Sequence, residues 1–279
     1  MAFNCNGKLL DFEAPKVMGI LNLSPDSFYD GRKYNKKDDL IRRTEQMLCE
    51  GAHIIDLGAS SSRPGANLIT KEEEEHRLLP AMKLLSKKFP NTIFSVDTYR
   101  SEIAALCYDN GAGIINDISG GNMDPKMFDT IALIGIPYIL MHMYGAPKDM
   151  QHKPLKNNIT KTVKAFFEKK VLELNKLGIN DIILDPGYGF GKSLECNFQL
   201  LKYQDELKLN SLPLLAGLSR KSMINKVLDT KPEDALNGTS VLNLIALQNG
   251  ASIVRVHDVK EAVQTIKLFI HYENTKECQ

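Results

Sequence analysis

The chain alternates short runs rich in Val, Ile and Leu with longer stretches of helical period. Eight runs predict strands, over residues 17–22, 54–58, 93–97, 113–118, 138–143, 181–185, 212–219 and 252–258. Their starts are spaced roughly 34 residues apart, the length of a strand-plus-helix unit. Within each run apolar residues follow one another rather than alternate with polar ones, as in parallel strands covered on both faces. Before five of the strands a glycine (Gly51, Gly111, Gly135, Gly178 or Gly250) stands where a helix should stop. A helix commonly ends in a left-handed residue, and glycine takes that conformation without strain. Thr70-Lys71-Glu72-Glu73 fits a capping box that opens a helix running to about residue 89. Eight such units predict an α/β fold closed into a (β/α)8 TIM barrel over residues 1–279, a single domain. Asn6-Gly7 upstream of the first strand is a hairpin-turn signal and predicts a short N-terminal β-hairpin across the bottom of the barrel.

In such a barrel, function gathers at the C-terminal ends of the strands. Those ends read Asn22, Asp56, Asp97, Asn116, His142 and Asp185, then Arg220-Lys221 past the seventh strand, and Arg255 with His257 on the eighth. One polar residue at a strand end is turn chemistry; a polar residue at all eight is a site. Residues two apart on a strand share a face, so Val254 and Val256 face the helices while Arg255 and His257 face the barrel interior. A buried arginine needs an anionic partner, which is either a strand-end aspartate or a bound phosphate or carboxylate. Lys221 and Ser222 stand where a helix begins, a position that attracts anions. The serine-rich loop around Arg63 follows the second strand, where barrel enzymes keep lids. His142, between Met141 and Met143, reads equally well as core packing or as a ligand-facing rim. Asp185 to Ser193, DPGYGFGKS, resembles a phosphate-binding P-loop, but that pattern needs glycine at 186, where the chain has proline.

Composition narrows the reading. With 43% hydrophobic and 25% charged residues the 279-residue chain is ordinary for a globular domain. Thirty-five basic against 34 acidic residues give a net charge of +1, so no broad basic face exists for nucleic acid. Cys5, Cys49, Cys107, Cys196 and Cys278 show no C-x-x-C spacing, which predicts idle thiols in a reducing compartment. The start of the chain lacks a signal-peptide pattern, and the apolar run over 131–143 falls short of the ~20 residues a membrane span needs. A cytoplasmic protein with no membrane partner is expected. Glu72 to Glu75 read as a solvated helix face, and His53 and His152 as isolated.

Taken together, MGILNLSPDSFYDG, DLGASSSRPGA, SVDTYR, INDISGG, MHMYGAP, DPGYGFGKS, GLSRKSMI and ASIVRVHDVKEA resemble dihydropteroate synthase, in the family's order from about residue 17 to 262. That resemblance implies condensation of a dihydropterin bearing a CH2-diphosphate with p-aminobenzoate, giving 7,8-dihydropteroate and diphosphate in folate biosynthesis. It places the pterin against Asp56, Asp97, Asn116, Met141, Asp185 and Lys221. The diphosphate falls to Asn22, Arg63, Arg255 and His257, with Mg2+ held by Asn22 and diphosphate oxygens. The p-aminobenzoate falls to Ser62, Pro64, Phe190, Lys221 and Ser222. Asp97, Asp185, Lys221, Arg255 and His257 are the catalytic set, and the implied mechanism is dissociative, with loops 22–35 and 59–68 closing to exclude water. A homodimer through outer helices is also implied. Departures from the family pattern fall in loops: Gly58-Ala59-Ser60-Ser61-Ser62 replaces a more usual GGES-T, and Ser62 keeps a hydroxyl while losing a methyl. They bear on loop behaviour and on affinity for p-aminobenzoate mimics such as sulfonamides. Two alternatives are a pterin-binding methyl-transfer module, which would not need SRPG, SRKS and RVH, and a catalytically inactive paralogue.

Overall fold

The computed structural model describes residues 1–23, 36–59, 69–145 and 154–277. A two-stranded antiparallel hairpin, β1 (Ala2–Cys5) and β2 (Lys8–Asp11), precedes the barrel strands. These are β3 (Lys16–Asn22), β4 (Ile54–Gly58), β5 (Ile93–Asp97), β6 (Ile114–Asp117), β7 (Tyr138–Met141), β8 (Ile182–Asp185), β9 (Leu215–Ala216) and β10 (Ile253–Val256). All neighbours pair in parallel, in the order β8-β7-β6-β5-β4-β3-β10-β9. A parallel bridge between Leu184 and Leu214 closes the ring, with Leu184 N–H donating to the Pro213 carbonyl at 2.9 Å. The TIM barrel expected from the sequence is present.

The outer helices are α1 (Lys36–Glu50), α2 (Lys71–Lys88), α3 (Ser101–Asp109), α4 (Met127–Ile134), α5 (Ile159–Lys176), α6 (Leu194–Lys202), α7 (Ser222–Leu228), α8 (Leu236–Gln248) and α9 (Val259–Glu273). The five turn glycines all have positive φ, from 66° at Gly135 to 102° at Gly51. Thr70 caps α2 by accepting from Glu73 N–H at 3.2 Å; Glu73 itself turns to Arg77 at 2.7 Å rather than completing the box. No helix of the described residues is long and apolar enough to cross a membrane.

Strand parity sorts the interior into two layers. Met18, Ile54, Ile93, Ile114, Ile139, Ile183, Leu215 and Ile253, one from each barrel strand, form a buried cluster with Phe3, Cys5 and Leu10 of the hairpin. The hairpin therefore plugs the bottom, as its turn signal predicts. Each such buried side chain stabilises the fold by about 1.5–3 kcal/mol. The next inward position, two residues on, is Asp56, Ser95, Asn116, Met141, Asp185 and Arg255 on β4, β5, β6, β7, β8 and β10. The residues of opposite parity on each strand, such as Ile55, Leu57, Val254 and Val256, belong to the large cluster under the helices.

Three expectations are corrected. The seventh barrel strand shrinks from 212–219 to Leu215–Ala216, because Pro213 has no N–H for the ladder. The fifth ends at Met141, so His142 is not a strand-end group of the mouth: it is 4% exposed and packs edge-on against Phe166 of α5, centroids 5.1 Å apart. Glu74 is not solvated but buried, its carboxylate accepting from Thr98 Oγ1 and Arg100. It ties α2 to the turn that follows Asp97.

Candidate active site

The register builds one row across the mouth: Asn22 lies beside Gly58, Gly58 beside Asp97, and Asp97 beside Asn116. A second row sets Met141 beside Asp185. Arg255 reaches into the middle, donating from Nε to Asp56 Oδ2 at 2.7 Å and from Nη2 to Asp97 Oδ2 at 3.0 Å. Asn116 Nδ2 donates to Asp56 Oδ2 at 3.1 Å. Of the two partners the sequence left open for Arg255, the strand-end carboxylates are the ones it meets here. Asp56 Oδ1 is buried without a hydrogen-bond partner, which leaves one acceptor of the group unused.

The electrostatics are those of a dry, charged pocket. Burial raises the Asp97 carboxyl to about 7 against the pull of Arg255. Burial also raises Asp185, opposed by Lys221. Lys221 is lowered to about 8 by burial, with Asp185 opposing. Burial would lower Arg255, but the Asp56 and Asp97 carboxylates outweigh it and leave it above its ordinary value. His142 is pushed down to about 3 by burial and by Lys192, which fits its place among apolar neighbours.

Lys221 is the N-cap of α7, and Ser222, exposed, is that helix's first residue. Seven residues make a short helix, so the positive charge here comes mainly from Lys221 itself. Its Nζ donates to the Tyr188 carbonyl and lies 4.8 Å from the Phe190 ring centroid. Gly217, two residues past Leu215, lies alongside the Lys221 ammonium, whose Nζ is 3.7 Å from where a Cβ would be, ordinary contact distance. Phe190 and Met141 form a small apolar cluster flanked by Ile118 and Met143. His257 Nδ1 lies 3.0 Å from Ser219 Oγ, which also accepts from His257 N–H at 3.2 Å. Asp185 Oδ1 accepts from Gly187 N–H at 2.7 Å.

The structure thus brings Asp56, Asp97, Asn116, Asp185 and Arg255 together, and joins Lys221, Met141 and Phe190 in a second group beside Asp185. Ser62, Arg63 and Pro64, with His152 and Cys278, lie outside the described residues. Sequence reasoning missed two groups, Asp117 and Lys192, and counted a third, Arg220, among the mouth residues although the structure turns it to Asp258. Asp117 is buried and accepts from Tyr138 Oη at 2.7 Å and from Ser119 and Gly121 N–H, fixing the turn after Asn116. Arg220, at φ 54°, makes a two-pronged pair with Asp258 at 2.9 and 2.8 Å. Lys192 is 3% exposed inside the glycine-rich loop. A lysine amid glycines and aromatics was the available signal for the last; nothing in the sequence marks the partners of the others.

A barrel mouth that carries buried carboxylates and an amide, with cations beside them, suits a polar small molecule that bears both hydrogen-bond donors and negative charge. The chain belongs to the pterin binding enzyme family, whose model matches residues 18–257. Among its relatives, the dihydropteroate synthase of Escherichia coli K12 is 40% identical over 270 residues, 96% of this chain and 95% of that one. The Yersinia pestis dihydropteroate synthase in complex with a sulfonamide drug superposes with a TM-score of 0.92 at 39% identity, covering 99% of this chain and 100% of that one. The Xanthomonas albilineans dihydropteroate synthase in complex with 7,8-dihydropteroate gives 0.88 at 31% identity, with 99% and 100% covered. The resemblance drawn from the motifs holds at full length.

Proposed function

We infer that this chain catalyses the dihydropteroate synthase reaction of folate biosynthesis, joining (7,8-dihydropterin-6-yl)methyl diphosphate to p-aminobenzoate with release of diphosphate. The observation that carries the inference is the row Asp97–Asn116 with Asp56, Asp185 and Arg255 at one barrel mouth, in a chain 40% identical to named synthases over nearly its whole length. The pterin edge offers an amino group and a ring N–H, which Asp185 accepts together; Asn116 and Lys221 serve the ring acceptors. Asp56 Oδ1 and Asp97 take the remaining donors, and Met141 packs on the ring face. Asn22, Arg63, Arg255 and His257 hold the diphosphate. Ser62, Pro64, Phe190, Lys221 and Ser222 hold p-aminobenzoate, where sulfonamides would compete.

The chemistry follows from this placement. When diphosphate enters, Arg255 has a stronger anion than the carboxylates it now pairs with, and its fork suits phosphate oxygens. His257, oriented by Ser219, donates to the same group. Charge on the departing diphosphate is thereby stabilised, and the C–O bond breaks before the arylamine bonds. Ionised Asp97 and Asp185 stabilise the dihydropterin methyl cation, which the amine nitrogen then attacks, losing a proton. No covalent enzyme intermediate is needed.

A magnesium ion fits the residues present. Among the described residues no cluster of three or more His, Cys, Asp or Glu forms a metal cage. Asn22, half-buried at the end of β3, offers one hard amide oxygen, suited to an ion that keeps its waters and binds mainly through substrate phosphates. When bound it supplies Lewis-acid neutralisation of the diphosphate. The assembly proposed is a homodimer, supported by apolar side chains exposed on three outer helices: Val227 and Leu228, Val241 and Leu244, Leu268 and Tyr272. The partners are small molecules and a second copy, in the cytoplasm.

The test is direct. Incubation with both substrates and Mg2+ should yield 7,8-dihydropteroate by mass analysis. Folded protein that binds pterin without making product would overturn the synthase reading in favour of an inactive binder. Binding of a methylated folate with no product would favour the methyl-transfer module.

A further inference from the structure

Lys192 lies between β8 and α6, out of reach of solvent, and the reaction above makes no use of it. Its Nζ donates to three main-chain carbonyls: His142 at 3.0 Å, Gly187 at 2.7 Å and Phe190 at 3.1 Å. Burial pulls Lys192 down to about 7, with Asp185 opposing; in its protonated form the amine has three protons for three acceptors, so the cage is saturated. The three carbonyls come from two different loops. His142 opens the segment after β7, while Gly187 and Phe190 belong to the glycine-rich loop after β8.

The loops touch backbone to backbone. Gly187 and Gly191 have φ of 67° and 69°, and a Cβ on either would run into the carbonyl oxygen of His142 or Tyr144. Such close approach suits only glycine. It also brings carbonyl oxygens of like partial charge together where water is excluded, which costs free energy unless a cation lies between them. Asn197 pins the loop from its other side, accepting from Gly189 N–H at 2.6 Å and donating to the carbonyl of Ser193 at 2.8 Å.

What the cage holds is the active site. Gly187 gives its carbonyl to Lys192 and its N–H to Asp185 Oδ1. Phe190 gives its carbonyl to Lys192 and its ring to the Met141 cluster and the Lys221 ammonium. Met141 itself precedes His142. We propose that Lys192 is a positioning residue whose ammonium acts as a built-in monovalent cation, locking the loops after β7 and β8 together and so setting Phe190 and Asp185. The catalytic part of this claim rests on the proposed synthase reaction; the cage does not.

The test uses the full chain with Lys192→Ala, Lys192→Met and Lys192→Arg. Hydrogen exchange of the unliganded protein reads the cage without reference to activity. In the methionine variant, amides at 142–145 and 187–192 should exchange at least about tenfold faster while those of α2 and α9 are unchanged. Propylammonium added to the alanine variant should slow them again, because it refills the cage. In steady-state assays the KM for p-aminobenzoate should rise about tenfold to a hundredfold, and propylammonium, but not tetramethylammonium, should restore it in the alanine variant. Arginine, with a planar fork, should not substitute. Wild-type exchange and KM in the methionine variant, or a folded alanine variant that alkylammonium does not restore, would overturn the proposal. If the alanine variant does not fold, the methionine variant alone decides. Altered exchange in an enzyme that makes no dihydropteroate would refute the reaction and leave the cage standing.

Discussion

Replacing Arg255 by methionine should destabilise the protein by an amount that depends on pH. The guanidinium sits between Asp56 and Asp97 at 2.7 and 3.0 Å, and both carboxylates are almost fully shielded from water. Methionine keeps much of the volume and none of the charge, so the variant leaves the two acids facing one another. Removing one partner of a buried pair costs about 3–5 kcal/mol when the survivors stay ionised. Here one of them can escape. Asp97 already titrates at about 7 in the folded state, against 3.8 as a free side chain, and Arg255 is the main group holding it down. A folded pKa above the unfolded value means that the folded protein binds the extra proton. Stability from this group is therefore greatest below the unfolded value and falls as pH rises through the folded one. Without Arg255 that decline should extend beyond pH 7, at about 1.4 kcal/mol per pH unit while one proton is exchanged. Urea unfolding at pH 5.5, 7 and 8.5 measures it. The mutational cost should be least at pH 5.5, where Asp97 is protonated in both proteins, and should grow by about 2 kcal/mol between pH 7 and pH 8.5. A cost equal at all three values, or none at all, would refute the assigned charge balance.

The remaining predictions concern catalysis and anchoring. The ratio kcat/KM for the pterin substrate should fall below about pH 7 as Asp97 protonates, and above about pH 8 as Lys221 loses its proton; Asp97→Asn should abolish the acid limb together with most activity. Tyr138→Phe removes the hydroxyl that donates to buried Asp117, and equilibrium unfolding at neutral pH should show a loss of about 1–3 kcal/mol. Ile183→Ala empties part of the bottom layer under the hairpin and should cost about 2–5 kcal/mol with both KM values unchanged.

Much of this architecture is written into residue spacing. Ile54 and Asp56, Ile183 and Asp185, and Ile253 and Arg255 each sit two apart, so a strand that plugs the bottom with isoleucine must present the polar group above it. That parity, repeated with a glycine stop before five strands, makes both the barrel and the mouth legible. Legibility stops where a side chain's partner is far away in sequence. His142 reads equally well as core or rim until the register shows Ile139 facing the interior, which by parity turns the 142 ring outward to Phe166. Glu74 reads as one of four solvated glutamates, because Arg100 and Thr98, which bury it, lie on another unit. Lys192 is missed for a similar reason: one of its three carbonyls, that of His142, lies 50 positions away, and a carbonyl has no residue-type signature.

The central claim is that the Asp97–Asn116–Asp185–Arg255 mouth holds a dihydropterin diphosphate and releases its diphosphate to let p-aminobenzoate bond. The most direct measurement is diphosphate release with Mg2+, with and without p-aminobenzoate, in the wild type and in Lys221→Ala. The account predicts diphosphate and dihydropteroate in equal amounts from the wild type, with turnover lost in the variant. Tight pterin binding without either product at saturating p-aminobenzoate, or a Lys221→Ala enzyme as fast as the wild type, would contradict it.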